Sequence, residues 1–435
     1  MKSKHLWWGT ILLMVLSVAT LTIAQTDTAG YTTDSMPGKV KAAIEKSLAD
    51  EATAAKTKEV IKPGDPEGFM GIPSAPKPNL IVGLLWAIWV GWIFSTVGAF
   101  GGIMAGVGHI TIFGLGDYAK SFGKANPVNK LVTDSIRVSN QWLVGLSALI
   151  SSFNYFKMGR LVAPLGMCLA IGGVGGSWLI PALTAGKVNL KAYIGYFGLI
   201  VLLLGIMLLR ETTASGQAKK KKAKEAAAAF EKKTKEGDAS DEGVKVLEGS
   251  WALMFVALAL VVASALWANL VSGGRMVAYL LAIAGWVVTF FVGNIKFTFF
   301  GVDFDFKAWI PMVGGIFIAA IASFLGIGGG FLFVPFLTSV AGLPMFLVAG
   351  TSALVVLVGM FVSIFSYMVG KGVPVSWGLI GVELIGIFIG SMIGPRTSKY
   401  IPDIWLKRLF VLLAFYVGIR YTTKGFLGYS IVPPF

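Results

Sequence analysis

Phe324-Leu-Gly-Ile-Gly-Gly-Gly330 decides the fold of this chain, because Phe100-Gly-Gly-Ile-Met-Ala-Gly106 repeats its pattern earlier in the sequence. In each copy a glycine cluster interrupts an otherwise apolar segment. Aligned without gaps, the copies pair Phe100 with Phe324, Gly102 with Gly326, Ile103 with Ile327, Gly106 with Gly330 and, upstream, Gly91 with Gly315. Glycine-interrupted apolar segments in corresponding places of two repeats are typical of secondary transporters and indicate their binding site.

The duplication continues downstream with a changed offset. The further pairs are Gly145/Gly359, Ser152/Ser366, Lys157/Lys371, Gly172/Gly386, Gly176/Gly390, Ser177/Ser391 and Pro181/Pro395. The change predicts an insertion between Gly106 and Gly145 in the first copy, and its polar part is 116–130.

The composition places the chain in a membrane. It has 435 residues, of which 55% are hydrophobic and 14% charged, and its mean hydropathy is +0.76. Apolar runs of about 20 residues recur, enough to cross a bilayer as helices, and lipid favours helices because it offers no partner to an open backbone. We predict an all-α polytopic membrane protein. It has two homologous bundles of about four helices with glycine-broken first helices, plus two extra central helices.

The hydropathy pattern also predicts the organisation of the chain. The expected segments are 1–24, a signal peptide or anchor; 25–79, a polar N-terminal segment; 80–210, membrane repeat 1; 211–249, a Lys-rich cytoplasmic linker; 250–300, two extra helices; and 301–435, membrane repeat 2. Helices are expected near 80–106, 130–156, 161–183, 190–210, 251–271, 276–299, 308–327, 345–370, 374–395 and 403–424. The side of 25–79 stays open, since its export requires that a re-entrant element near 100–118 cross fully.

Charge and residue usage exclude several classes of function. Most of the net charge of +15 lies in the hydrophobic body, where acids are scarce, so an anionic cargo is favoured. No separate basic face exists to bind nucleic acid. The single Cys168 excludes a disulfide framework within one chain, and a lone His109 makes no metal site. Dinucleotide and P-loop motifs are absent from the sequence, so we expect no cofactor, no metal and no enzyme activity.

Several ionisable residues lie in apolar segments, where such groups are candidates for a substrate or proton path. Asp134 and Arg137 share a helix face and can pair; they belong either to the path or to an ordinary helix end. Glu383 lies deep in an apolar helix, as a proton carrier or a packed carboxyl. His109 can relay protons. Lys157 and Lys371 occupy equivalent loops, and they either set topology or attract an anion.

The second copy has a family's motif order. Gly326-Ile-Gly-Gly-Gly-Phe-Leu-Phe-Val-Pro335 is followed by Gly342-Leu-Pro344, by Ala349-Gly-Thr-Ser352 and by Gly386-x-x-x-Gly390-x-x-x-Gly394-Pro395. This order resembles the sulfite exporter TauE/SafE family of membrane permeases. The resemblance implies movement of small sulfur-containing anions by a duplicated bundle with ion or proton coupling. The first copy departs from the motif, with Met104 and Ala105 in place of two glycines.

Together these observations predict a secondary-active permease for small anions such as sulfite, thiosulfate or sulfoacetate. It lies in a bacterial-type inner membrane, in contact with lipid. Open backbone is expected at Gly102, Gly106, Gly326, Gly328, Gly329 and Gly330, although such glycines also serve close helix packing. Thr351, Ser352 and Ser135 would supply hydroxyl groups, and Asp134 or Glu383 the coupling proton. The oligomeric state is not predicted. The alternative is a non-transporting scaffold or sensor that acts through its extramembrane segments.

Overall fold

A computed structural model describes residues 30–98, 101–184, 190–213, 221–236, 243–271, 273–325 and 332–432. The described chain forms two compact units. The first contains the described residues up to Lys77 together with Tyr118–Val132, and the second contains Pro78–Asp117 and the remainder from Thr133. The insertion predicted in the first repeat therefore folds with the polar N-terminal segment.

The first unit has a small core of its own. Helices α1 (Gly38–Ala49) and α2 (Glu51–Val60) pack through apolar residues such as Val40 and Ile44. The Asn126 side-chain amide of the insertion donates to the Thr57 hydroxyl at 2.8 Å. This buried hydrogen bond ties the insertion to α2, and it explains why a polar stretch interrupts the membrane repeat.

The second unit is predominantly helical and carries one small antiparallel sheet. Helix α5 ends in the first unit and helix α6 begins there. The elements are α3 (Leu80–Val97), α4 (Gly101–Val107) with a π-turn (Gly108–Ile112), α5 (Leu115–Ser121), α6 (Pro127–Lys157), α7 (Ala163–Thr184), α8 (Leu190–Glu211), α9 (Lys221–Glu236), β1 (Lys245–Glu248), α10 (Trp251–Leu270), α11 (Arg275–Val292), β2 (Asn294–Phe299), β3 (Val302–Lys307), α12 (Trp309–Leu325), α13 (Phe333–Pro335) with a π-turn (Phe336–Val340), α14 (Met345–Phe365) with a π-turn (Ser366–Gly370), α15 (Trp377–Ser398) and α16 (Asp403–Phe426).

Five of the described helices are long and apolar enough to cross a membrane: α3, α10, α11, α14 with its π-turn, and α15. The chain is thus a polytopic helical membrane protein, as predicted. The predicted helix 276–299 is too long, since it ends at Val292 and residues 294–299 form the central strand of the sheet β1-β2-β3. Alternation in Asn-Ile-Lys-Phe-Thr-Phe buries Ile295, Phe297 and Phe299 on one face, which favours a strand.

The predicted first helix, 80–106, is broken, and the chain doubles back on itself. Gly98 has a φ of 89°, after which α4 returns along α3. A Cβ on Gly101 would lie 2.5 Å from that of Phe94, and one on Gly83 would lie 3.6 Å from the Phe113 ring. The second repeat shows the same return, because Gly314 of α12 packs on the Phe336 ring. Gly98 thus lies at the tip of a helical hairpin in the first repeat.

The hairpin bears on the topology that the sequence left open. Since Phe113 returns to the level of Gly83, the start of α3 and the end of its return lie at one end of the unit. The side on which residues 25–79 lie stays a prediction of the sequence.

The two repeats are interleaved through their glycines. Gly386, Gly390 and Gly394 of α15 lie against the backbone or short side chains of α3, in the other repeat. Gly172 and Gly176 of α7 lie in the same way against α12. Such residues allow close approach of helix backbones. The aligned glycine pairs thus have the same structural role in both repeats. Helix α15 of the second repeat packs on α3 of the first, and α7 of the first repeat packs on α12 of the second.

The Lys-rich linker contains a docked helix. Helix α9 buries Ala223, Ala226, Ala227 and Phe230 and exposes its lysines. The Phe230 ring lies 4.4 Å from the Phe346 ring and 5.4 Å from the Phe300 ring, measured between centroids. This segment is a structural part of the second unit as well as a connection between the repeats.

We expect Phe230→Ala to destabilise the folded protein by about 3–5 kcal/mol, because it empties a buried aromatic site. The measurement is thermal unfolding of purified protein in detergent, with the exposed Lys224→Ala of the same helix as the matched control. Equal unfolding midpoints for the two variants would show that α9 is not docked.

Candidate functional site

Buried and half-buried polar side chains follow the interface of α3, α6 and α15, where the two repeats meet. Along α6 these are Asn140, Ser147 and Tyr155, and along α15 they are Glu383, Ser391 and Ser398. At a rise of about 1.5 Å per residue the line extends roughly 20 Å. A continuous series of polar groups this deep in an apolar bundle is costly unless it is satisfied or used. It is the candidate functional site of this protein.

The first group of the line is a triad of His109, Asn140 and Glu383. His109 Nε2 lies 3.0 Å from Glu383 Oε2, and Nδ1 hydrogen-bonds the Asn140 side-chain oxygen. His109 is 0% exposed and Glu383 1% exposed. His109 belongs to the π-turn after α4, and π-turns occur often at functional sites.

The hydrogen bonds of the triad indicate how its protons are arranged. Because Nδ1 donates to Asn140, one further proton must lie between His109 Nε2 and Glu383 Oε2 to make that bond. Loss of this proton would leave a lone pair facing a carboxylate in a low-dielectric site, which is unfavourable. The other carboxylate oxygen, Glu383 Oε1, is buried without a partner among the described residues. The triad therefore joins Glu383 of one repeat to His109 and Asn140 of the other.

The middle of the line consists of hydroxyl groups. Ser147 and Ser391 share a hydrogen bond of 2.7 Å, although they lie in different repeats. The hydroxyls of Thr96, Ser151 and Ser152 are buried, and none has a hydrogen-bond partner in the described part of the chain. Unsatisfied buried hydroxyls are rare in proteins and call for a ligand or water.

At the end nearest α9 the line closes on a tyrosine and an arginine. The Tyr155 hydroxyl donates to the Ser95 carbonyl and lies 3.2 Å from the Ser398 hydroxyl. Arg160 donates to the Pro395 carbonyl at 3.2 Å and to the Ser398 hydroxyl at 3.3 Å. This group joins the end of α3, the loop after α6 and the end of α15.

Gly102, Gly106 and Thr351, which were predicted for binding, lie beside this line. A Cβ on Gly106 would lie 3.6 Å from the Asn140 amide nitrogen, and one on Gly102 would lie 3.4 Å from Val144. Thr351 accepts a hydrogen bond of 3.1 Å from the Val162 amide beside Arg160. Gly326, Gly328, Gly329 and Gly330 lie outside the described residues.

Two of the predicted serines are buried. Ser352 lies at the tip of the first hairpin, where a Cβ on Gly98 would be 2.7 Å from its hydroxyl oxygen. Ser135 lies in α6, and its backbone carbonyl accepts a bond from the Ser139 hydroxyl.

The remaining predicted charges lie apart from the triad. Asp134 and Arg137 form the expected pair at 3.4 Å, with side-chain exposures of 15% and 44%, roughly two turns into α6. Lys157 lies over the Phe153 ring and Lys371 over the Tyr367 ring, at 4.3 and 4.1 Å. Both lysines are exposed at corresponding helix ends.

Sequence reasoning missed most members of the line, among them Asn140, Tyr155 and Arg160. Asn140 and Tyr155 lie in a helix that carries many polar residues, so neither stands out. Arg160 follows Lys157 in a short loop, where a basic residue is usually a topological signal. Only the fold shows that Lys157 is exposed and Arg160 is buried.

Fold and site together define a polytopic helical membrane protein with a polar line between two interleaved repeats. Residues 242–421 match the model of the family described as Sulfite exporter TauE/SafE, which confirms the resemblance carried by the second glycine motif. This match implies a membrane transporter, and it is consistent with the absence of enzyme activity expected from the sequence. No curated protein and no solved structure gives a match.

Proposed function

We propose that this chain is a secondary-active permease that moves small sulfur oxyanions or organosulfonates, such as sulfite, thiosulfate or sulfoacetate, across a bacterial-type inner membrane. The polar line between α3, α6 and α15 is the observation that carries the proposal. Its hydroxyl groups offer donors to an anion, and the scarcity of acids in the membrane body favours anionic over cationic cargo.

The coupling ion in this proposal is a proton, and the triad binds it. Its only carboxylate is Glu383, and the Asn140 oxygen is already engaged by His109. A sodium ion needs several oxygen ligands, whereas a histidine–carboxylate pair needs only a proton to change its charge. The described residues contain no cluster of three or more His, Cys, Asp or Glu side chains that could hold a metal ion.

The orientation is part of the proposal. The linker with α9 faces the cytoplasm, since lysine-rich segments beside membrane helices stay on that side. If the hairpin of α3 and α4 counts as two passes, and α6, α7 and α8 as one each, the start of α3 lies on the opposite side. The triad lies toward that outer end of the line, and Arg160 toward the cytoplasmic end.

The test is anion flux into proteoliposomes containing the purified full-length chain. A proton gradient directed into the vesicles, with the outside more acidic, is expected to drive uptake of labelled sulfite or thiosulfate above the rate in protein-free vesicles. A protonophore is expected to abolish the accumulation. Absence of flux for sulfite, thiosulfate, sulfoacetate and sulfate under every ion gradient would overturn the proposal.

The docking of α9 favours a second candidate, a membrane scaffold or sensor that acts through this helix. Its Phe230 contacts give the linker a defined surface on which a partner could act. Deletion of 216–246 separates the two candidates. Intact flux with loss of the cellular phenotype supports the scaffold, whereas parallel loss of both supports the permease.

A further inference from the structure

Arg160 is the most deeply buried cation of the described chain that has no acidic partner. It lies in the loop between α6 and α7 and is 2% exposed. No carboxylate of the described residues lies within ion-pair distance of it. A buried charge without a counter-charge is strongly unfavourable in proteins. The fold therefore keeps this guanidinium at a cost that a purely structural residue would not require.

The hydrogen bonds of Arg160 leave it incompletely satisfied. Its guanidinium carries five N–H donors. One Nη donates to the Pro395 carbonyl and the other to the Ser398 hydroxyl, and both acceptors are neutral. The Nε–H is buried with no partner among the described residues. The edge of the guanidinium that contains Nε thus lacks a hydrogen-bond acceptor.

Aromatic rings surround the guanidinium without neutralising it. Its central carbon lies 4.8 Å from the Tyr155 ring centroid, 5.1 Å from that of Phe230 and 5.4 Å from that of Phe346. Rings attract a cation and hold its plane in place, and they also exclude water. A desolvated and oriented guanidinium binds an oxyanion more strongly than one in water, because competing hydration is removed.

A structural role as a cap of α15 does not account for these features. The carbonyl of Pro395 and the negative end of the helix dipole do attract a cation. A lysine or a solvent-exposed arginine supplies that interaction equally well, and the exposed Arg396 already donates to a carbonyl of the same helix. Capping requires neither complete burial nor a free Nε–H.

We propose that Arg160 is the anion-recognition residue at the end of the polar line beneath α9. It binds two oxygens of one sulfur oxyanion through its Nε–H and a neighbouring Nη–H, the bidentate geometry that arginine forms with oxyanions. The Tyr155 and Ser398 hydroxyls, which lie 3.2 Å apart beside this guanidinium, make its surroundings polar. The inference rests on the proposed function, since it names the group that selects the transported anion.

Anion binding by the purified full-length protein tests this role separately from transport. Thermal unfolding in detergent is followed against increasing thiosulfate or methanesulfonate, with chloride at equal ionic strength as the reference. The wild type is expected to unfold at higher temperature as either anion is added. Arg160→Gln is expected to lose this shift, and Arg160→Lys is expected to bind at least about tenfold more weakly, since it keeps the charge and loses the fork.

Arg396→Gln, an exposed arginine beside Pro395, is the matched control and is expected to bind as the wild type does. If Arg160→Gln does not fold, Arg160→Lys decides alone, and an unchanged Kd overturns the inference. Absence of any anion-dependent shift in the wild type also overturns it. Binding without flux would refute the permease and leave the Arg160 site standing. Flux with an unchanged KM in Arg160→Gln would refute the site and leave the permease standing.

Discussion

Gly390→Ala is expected to destabilise the second unit more than any other glycine-to-alanine substitution in α15. An added Cβ would overlap the carbonyl oxygen of Ile88 and lie 2.8 Å from the Trp92 amide nitrogen, and both are backbone atoms of α3. A helix backbone cannot yield as a side chain can, so the helices must separate. We expect a loss of about 2–4 kcal/mol in stability.

The measurement is the amount of folded protein after detergent extraction, followed by its unfolding midpoint. Gly381→Ala on the same helix is the matched control, because no atom lies within 4 Å of its added Cβ. We expect it to be within about 1 kcal/mol of the wild type, as an ordinary change of helix propensity. Similar midpoints for the two variants would contradict the close packing of α15 on α3.

The same comparison shows what the sequence could predict. The aligned pairs Gly172/Gly386 and Gly176/Gly390 identified the duplication, because both members of each pair meet the same need for close helix contact. The spacing could not show that each glycine faces the other repeat, since helix pairing depends on the tertiary fold. It also could not show where α3 ends, because Gly98 breaks the helix with a backbone angle and leaves the apolar run intact.

The candidate site was predictable only one residue at a time. His109 and Glu383 are singled out by rarity and by depth in apolar segments, but their contact joins residues 274 positions apart. Asp134 and Arg137, which are close in sequence, pair as the helical period predicts. Arg160 was not predicted, because the sequence of a short loop does not indicate whether a basic residue in it is buried or exposed. Local spacing thus predicts local pairs, and the line between the repeats appears only when the helices are assembled.

Glu383→Gln is expected to uncouple anion movement from the proton gradient. The amide keeps the size of the carboxyl group and can still hydrogen-bond His109 Nε2, but it cannot take up or release the shared proton. One pH unit supplies enough free energy for about tenfold accumulation per coupled proton. The wild type should approach this ratio, whereas Glu383→Gln should equilibrate the anion to a ratio near one.

Two flux measurements in proteoliposomes distinguish uncoupling from misfolding. Exchange of labelled for unlabelled anion at equal pH is expected to persist in Glu383→Gln, because it needs the polar line and no net proton movement. Glu248→Gln, an exposed carboxylate paired with Lys296 on the sheet, is the control and should accumulate anion as the wild type does. If Glu383→Gln still accumulates anion tenfold, the His109–Glu383 pair does not carry the coupling proton. Asp134→Asn then becomes the decisive variant, since Asp134 is the other carboxylate for which the sequence predicts that role.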